Sequence, residues 1–174
     1  MDNGTLSRRA LIAITLMRIF VGWHFLYEGI AKLTSPSWSA VGYLRQARGP
    51  LSDFFRWLAS QPNLLANADN VTMWGLTLVG AFLILGLFTR LASLAGMAFI
   101  LLFYLATPPF VGYFYSIPSE GSYLIVNKNL VELSALAVIL VTGSGRFAGL
   151  DRILHSLFVR RTGSPPRDAM APAR

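Results

Sequence analysis

The sequence predicts an all-α fold, a four-transmembrane-helix bundle with amphipathic interfacial helices in its first outer loop and after its fourth helix. Three observations carry this. Apolar residues fill 54% of 174 positions and charged residues only 13%. Four apolar runs approach the ~20 residues that a bilayer crossing needs. The polar sequence left over is too short to coat four such helices in water.

The first span is placed at about Ala10–Leu33. Ser7-Arg8-Arg9 ahead of an apolar run has the look of a secretion signal, but Arg18 interrupts the run and no small-x-small cleavage pattern precedes Glu28, so an uncleaved helix is predicted. From Thr34 to Asn70 the chain is too polar to span and too rich in Trp, Tyr, Phe and Leu for a free linker. Ser37–Arg48 and Leu51–Ser60 each read as a short amphipathic helix lying flat at the interface, with Pro50 and Pro62 marking the start and stop of the second. Further spans are expected over Val71–Phe88, Leu91–Thr107 and Tyr123–Thr142, the third ending at Pro108-Pro109. Gly143, Gly145 and Gly149 then break the helix. Leu150, Ile153, Leu154, Leu157 and Phe158 recur at helical spacing, with Asp151, Arg152, His155, Arg160 and Arg161 on the other face, which predicts a basic surface helix over 150–161. Residues 1–161 form one membrane domain in this reading, and the Pro-rich stretch 162–174 a disordered cytoplasmic tail.

Charge sets the expected orientation. Nine Lys and Arg fall on the N-terminus, the Thr89-Arg90 turn and the C-terminal tail, against five on the opposite side: Lys32, Arg45, Arg48, Arg56 and Lys128. The positive-inside rule then puts both termini in the cytoplasm, and it accounts for the net charge of +7 without any nucleic acid. All four Trp and all six Tyr fall in the outer loops or outer halves of the helices under this topology, which suggests either an interfacial belt or an aromatic docking cap. The chain has no cysteine, so iron–sulfur clusters, thiolate zinc sites and redox dithiols within it are excluded. With only His24 and His155, paired axial haem ligation is not expected either. No intrinsic cofactor or metal is predicted, and electrons would have to arrive on a diffusible or partner-bound carrier.

An ionisable side chain at the centre of a membrane helix costs about 2.5–3.5 kcal/mol, so such residues face a protein interior, a wet cavity or a partner. Arg18, His24, Glu28 and Lys32 fall within about a 120° sector of the first helix. Asn127, Lys128, Asn129 and Glu132 lie at a similar depth on the fourth, which would set Glu28 and Glu132 opposite each other. One reading is an ion-pair network that fixes helix register, with Lys32 and Lys128 snorkelling to the headgroups. The other is a ligand-binding or proton-handling site, with Trp74 or Tyr104 packing on a bound ring.

Four fragments add a family resemblance: Arg18 through Gly22 to Glu28-Gly29-x-x-Lys32-Leu33, then Leu85-Gly86-Leu87-Phe88-Thr89-Arg90-Leu91-Ala92, then Asn127-Lys128-Asn129-Leu130-Val131-Glu132, and finally Gly145-Arg146-x-x-Gly149-Leu150-Asp151. In this order and spacing they resemble the DoxX family of small four-helix membrane proteins. The resemblance implies a bacterial cytoplasmic (inner) membrane protein and a link to redox complexes, since the family includes the membrane subunit of a thiosulfate:quinone oxidoreductase. Three functions are compatible with the residues. The first is a redox-complex subunit that binds quinone near the outer leaflet; the second is a non-catalytic structural subunit of a larger membrane or periplasmic assembly, or a homo-oligomer, joined through small-residue faces such as Gly75, Gly80 and Gly86. The third is a small-solute transporter using the same ionisable row.

Overall fold

The computed structural model describes residues 6–116 and 124–152, which are helical throughout their regular elements, with no strand among them. The elements are α1 (Arg8–Leu33), α2 (Val41–Arg45), α3 (Ser52–Ala59), α4 (Pro62–Leu85), α5 (Thr89–Ala106), α6 (Lys128–Thr142) and a 3-10 turn, Ser144–Arg146. Ser7 starts α1 by accepting a hydrogen bond from the Ala10 amide. Gly86 and Gly143 end α4 and α6 in the left-handed conformation that glycine adopts without a Cβ penalty.

Helices α1, α4, α5 and α6 pack in a ring, α1 on α4, α4 on α5, α5 on α6 and α6 back on α1. Phe25, Leu76, Val79, Leu83, Ile100, Leu136 and Ile139 fill its centre. The α1–α4 seam is a close approach of two backbones, because a Cβ on Gly80 would run into the backbones of Leu26 and Gly22. Gly75 packs against the ring of Phe99 and Gly86 against Arg18. These glycines are therefore consumed by contacts inside the chain and are not left as faces for a partner. Outward, α1 exposes Ile12, Leu16, Phe20, Trp23 and Ile30, and α5 exposes Leu91, Leu94, Leu101 and Leu102, a surface suited to lipid. Three helices, α1, α4 and α5, are long and apolar enough to cross a membrane, which makes this a multi-pass membrane protein. With 15 residues α6 rises only about 22 Å, short of a ~30 Å hydrocarbon core.

The expected boundaries shift in three places, and the first is the helix expected over Ser37–Arg48, which is confined to the five residues of α2. Helix α4 begins at Pro62, not near Val71, because Pro at the first helical position lacks only an N–H that would be orphaned anyway, and the stretch 63–70, of mixed polarity, continues the helix beyond its apolar part. Helix α6 begins at Lys128 and not at Tyr123, because Asn127 caps it by accepting from the Leu130 amide, and Leu124 is left-handed with φ +65°. The segment between α1 and α4 forms a packed cap over the end of the bundle where α1 and α5 finish. Leu44, Ala47, Phe55 and Ala59 bury against Ala106. The Arg48 and Gly49 amides both donate to the Ala106 carbonyl, satisfying an orphan acceptor at the end of α5. Tyr43 Oη shares hydrogen bonds with Phe103 O and Thr107 Oγ1, and the Ala40 amide donates to Asp69 on α4. Leu150–Arg152 are helical; the remainder of the expected surface helix, including His155, Arg160 and Arg161, and the tail 162–174 lie outside the described residues.

Candidate functional site

Because Gly22, Leu26 and Gly29 take the α4 side of α1, the polar stripe of that helix turns elsewhere, and His24 meets α6. Its Nδ1 donates to Oε1 of Glu132 across 2.6 Å. The Glu132 side chain is only 10% exposed and the His24 side chain 41%, so the carboxylate anchors Nδ1 from inside while part of the imidazole remains accessible. One turn further, Glu28 pairs with Lys32 on the same helix, and Lys32 Nζ also donates to the Glu28 carbonyl. Lys32 sits 5.6 Å from the centre of the Trp38 ring, a cation–π contact that closes the row from the cap side. The charges of Glu28 and Lys128 act on His24, and that of Lys128 also acts on Glu28.

The two carboxylates thus take different partners: Glu132 holds His24, and Glu28 holds Lys32. Asn127 serves as the cap of α6, and Asn129 is half-buried in its first turn. Tyr104 donates to the Ile125 carbonyl, bracing the segment that leads into α6. Trp74 stands exposed on α4, and among the described residues no hydrogen bond or ring contact joins it or Tyr104 to the His24–Glu132 pair. The aromatic group at the cluster is Trp38, which sequence reasoning noted only as one of the outer tryptophans. Its signal was its position six residues past Lys32, the last polar residue of α1. Among the described residues no group of three or more His, Asp or Glu is placed to hold a metal ion.

Arg18 stands apart, about 9 Å further along α1 than His24. It is buried, with Nη2 donating to the Ala148 carbonyl at 2.6 Å, while Nε and Nη1 have no hydrogen-bond partner among the described residues. Around it a second set of polar groups assembles. Asp151 was expected on a solvent-facing surface, yet its carboxylate accepts from the Phe88 amide at 2.7 Å and the Thr89 amide at 3.0 Å, while its own amide donates to Gly86 O. It is a long-range cap for α5, whose preceding residue Phe88 holds a left-handed φ of 46° and supplies no side-chain cap itself. Gly145 and Gly149 make this approach possible, since a Cβ on either would collide with Thr89 and Asp151 or with the Gly86 backbone. The fragments that carry the resemblance at the Leu85–Ala92 turn and at Gly145–Asp151 are therefore two halves of one contact.

No curated protein and no solved structure matches this chain. The DoxX family model matches residues 13–108, from the first turns of α1 past the end of α5, a range that includes Arg18, His24, Glu28, Lys32 and the Leu85–Ala92 turn. A match over more than half of the sequence makes the chain a member of the DoxX family.

Proposed function

We propose that this protein is the membrane subunit of a redox complex and binds a quinone near the outer leaflet, at the seam between α1 and α6. In this reading α6 is a fourth, short membrane helix, supported by its exposed Val131, Val138 and Val141, and both termini are cytoplasmic in a bacterial inner membrane. The observation that carries the reading is the His24–Glu132 pair. A carboxylate on Nδ1 fixes the imidazole's orientation and tautomer and leaves Nε2 as the edge that holds or delivers a proton. A quinone supplies two carbonyl oxygens that accept hydrogen bonds and take up two protons and two electrons on reduction to the quinol. Lys32, oriented by Glu28 and Trp38, offers a second donor. Electrons come from a partner subunit or a diffusible donor, because no cysteine is present to hold a cluster.

Titration of the purified protein with a short-tailed quinone analogue in lipid tests this. His24→Ala, Lys32→Ala and Glu132→Gln should each weaken binding about two- to tenfold, the effect of one lost hydrogen bond, and Arg152→Gln at the far end should leave it unchanged. If the parent binds no analogue, or all variants bind like the parent, the cluster serves register alone. The structural-subunit reading then takes over, favoured by the same His24–Glu132 contact, which ties α1 to α6.

A further inference from the structure

The cap carries a cleft of about 450 Å³ lined by Arg45, Gln46, Arg48, Arg56, Phe114 and Ser116. Its walls are fixed. Gln46 Oε1 accepts from the Ser116 amide at 2.6 Å while Nε2 donates to the Gly42 carbonyl at 3.1 Å, so one side chain pins the loop after α5 to α2. Buried Ala47 and Phe55 anchor the surrounding helices in the cap core. Three guanidinium groups around one cleft repel one another. Among the described residues only Asp53 answers any of them, 3.4 Å from Arg56, and its carboxylate is 99% exposed and so screened by water. Neither Arg45 nor Arg48 has a carboxylate within ion-pair distance among the described residues.

From this geometry we infer that the cleft binds the phosphate group of an anionic membrane lipid. The guanidinium fork matches a phosphate's paired oxygens. The cap rests on the ends of membrane helices, so its arginines lie at headgroup depth rather than far out in water. Apolar surface is at hand as well: Phe114 on the wall is 81% exposed, and α3, the helix that carries Arg56, also exposes Phe54 and Trp57, 51% each, whose rings meet at 6.0 Å. A soluble oxyanion gains nothing from those rings, whereas a lipid lays its glycerol and upper acyl chain against them.

The test uses the full chain in detergent, titrated with dioctanoyl-phosphatidylglycerol, dioctanoyl-phosphatidylcholine and inorganic phosphate, and read by native mass spectrometry and calorimetry. The parent should bind the glycerol lipid in preference to the choline lipid. Arg45→Gln and Arg48→Gln should each weaken it about fivefold, Arg48→Lys should recover part of the loss, and Arg152→Gln should have no effect. All three sites are exposed, and monodisperse elution with parental helix content confirms folding of each variant. Equal binding of the choline lipid, or unchanged binding by both glutamine variants, overturns the site. Inorganic phosphate binding as tightly as the lipid overturns the lipid assignment in favour of a soluble oxyanion.

Discussion

Replacing Asp151 by alanine removes the acceptor for two backbone amides, Phe88 N at 2.7 Å and Thr89 N at 3.0 Å, at a helix start that has no cap of its own. Each hydrogen bond to an ionised carboxylate contributes about 1.5–3 kcal/mol. Loss of a helix N-cap alone costs about 0.5–2 kcal/mol, and the left-handed Phe88 stores roughly 1–3 kcal/mol that the contact offsets. These contributions overlap because they describe one contact. No ion pair joins Asp151 to Arg18 among the described residues, so the two amide bonds set the scale, and Asp151→Ala should destabilise by about 2–4 kcal/mol. Asp151→Asn, which keeps one oxygen acceptor, should lose about half as much. Reversible unfolding in mixed micelles of increasing denaturing-detergent fraction measures both, with Asp53→Ala, at an almost fully exposed carboxylate, as the control that should not move. A loss below about 1 kcal/mol for Asp151→Ala would refute the cap, because the two amides must then find equivalent partners without it.

Arg18→Met should be neutral or stabilising in the same assay, since an apolar side chain of similar volume removes two buried nitrogens without hydrogen-bond partners at the loss of one bond to Ala148. Gly80→Ala should destabilise by about 1–3 kcal/mol as the new methyl forces α1 and α4 apart; parental stability would mean the seam is looser than described. Burial pushes the Tyr43 hydroxyl up to about 12, against the weaker pull of its hydrogen bond to Thr107. The folded chain therefore keeps this proton after the unfolded chain has lost it near pH 10, so the stabilisation is complete below pH 10 and is lost on rising to about 12. Tyr43→Phe should flatten that alkaline fall, and an unchanged slope would assign it to another group. Reporter fusions after Arg152 should read cytoplasmic and fusions within the cap periplasmic; the reverse would overturn the outer placement of the His24–Glu132 pair.

Much of the bundle was legible because a bilayer makes hydrophobicity decisive over ~20 residues: α1 and α5 fall within a few residues of their expected limits. The same signal misled at Leu124-Ile125-Val126, apolar residues that lie exposed ahead of α6, and at 63–70, a stretch of mixed polarity that belongs to α4. Asn127 before an apolar run was a visible cap, and Pro62 was as good a helix start as a stop. In the candidate site, the polar stripe of α1 and its counterpart on α6 were evident from spacing. Which carboxylate takes His24 was not, because that depends on how α1 rotates when its glycines seat against α4. The Asp151 contact was hidden more deeply. Its partners lie more than sixty residues upstream and are backbone amides, which no side-chain pattern reveals.

That contact also bears on the order of events during synthesis. The α4–α5 hairpin leaves the ribosome long before residue 151 does, and chains fold from their N-terminal side as they emerge at about 5–20 residues per second. For several seconds α1, α4 and α5 can be inserted and paired while the amides at the start of α5 still lack their final acceptor. The nascent bundle remains open at that end until the segment beyond α6 folds back and Asp151 reaches Phe88 and Thr89. Completion of the bundle is thereby tied to completion of the membrane portion of the chain, and a nascent protein stalled before Asp151 presents an unfinished helix end to membrane quality control.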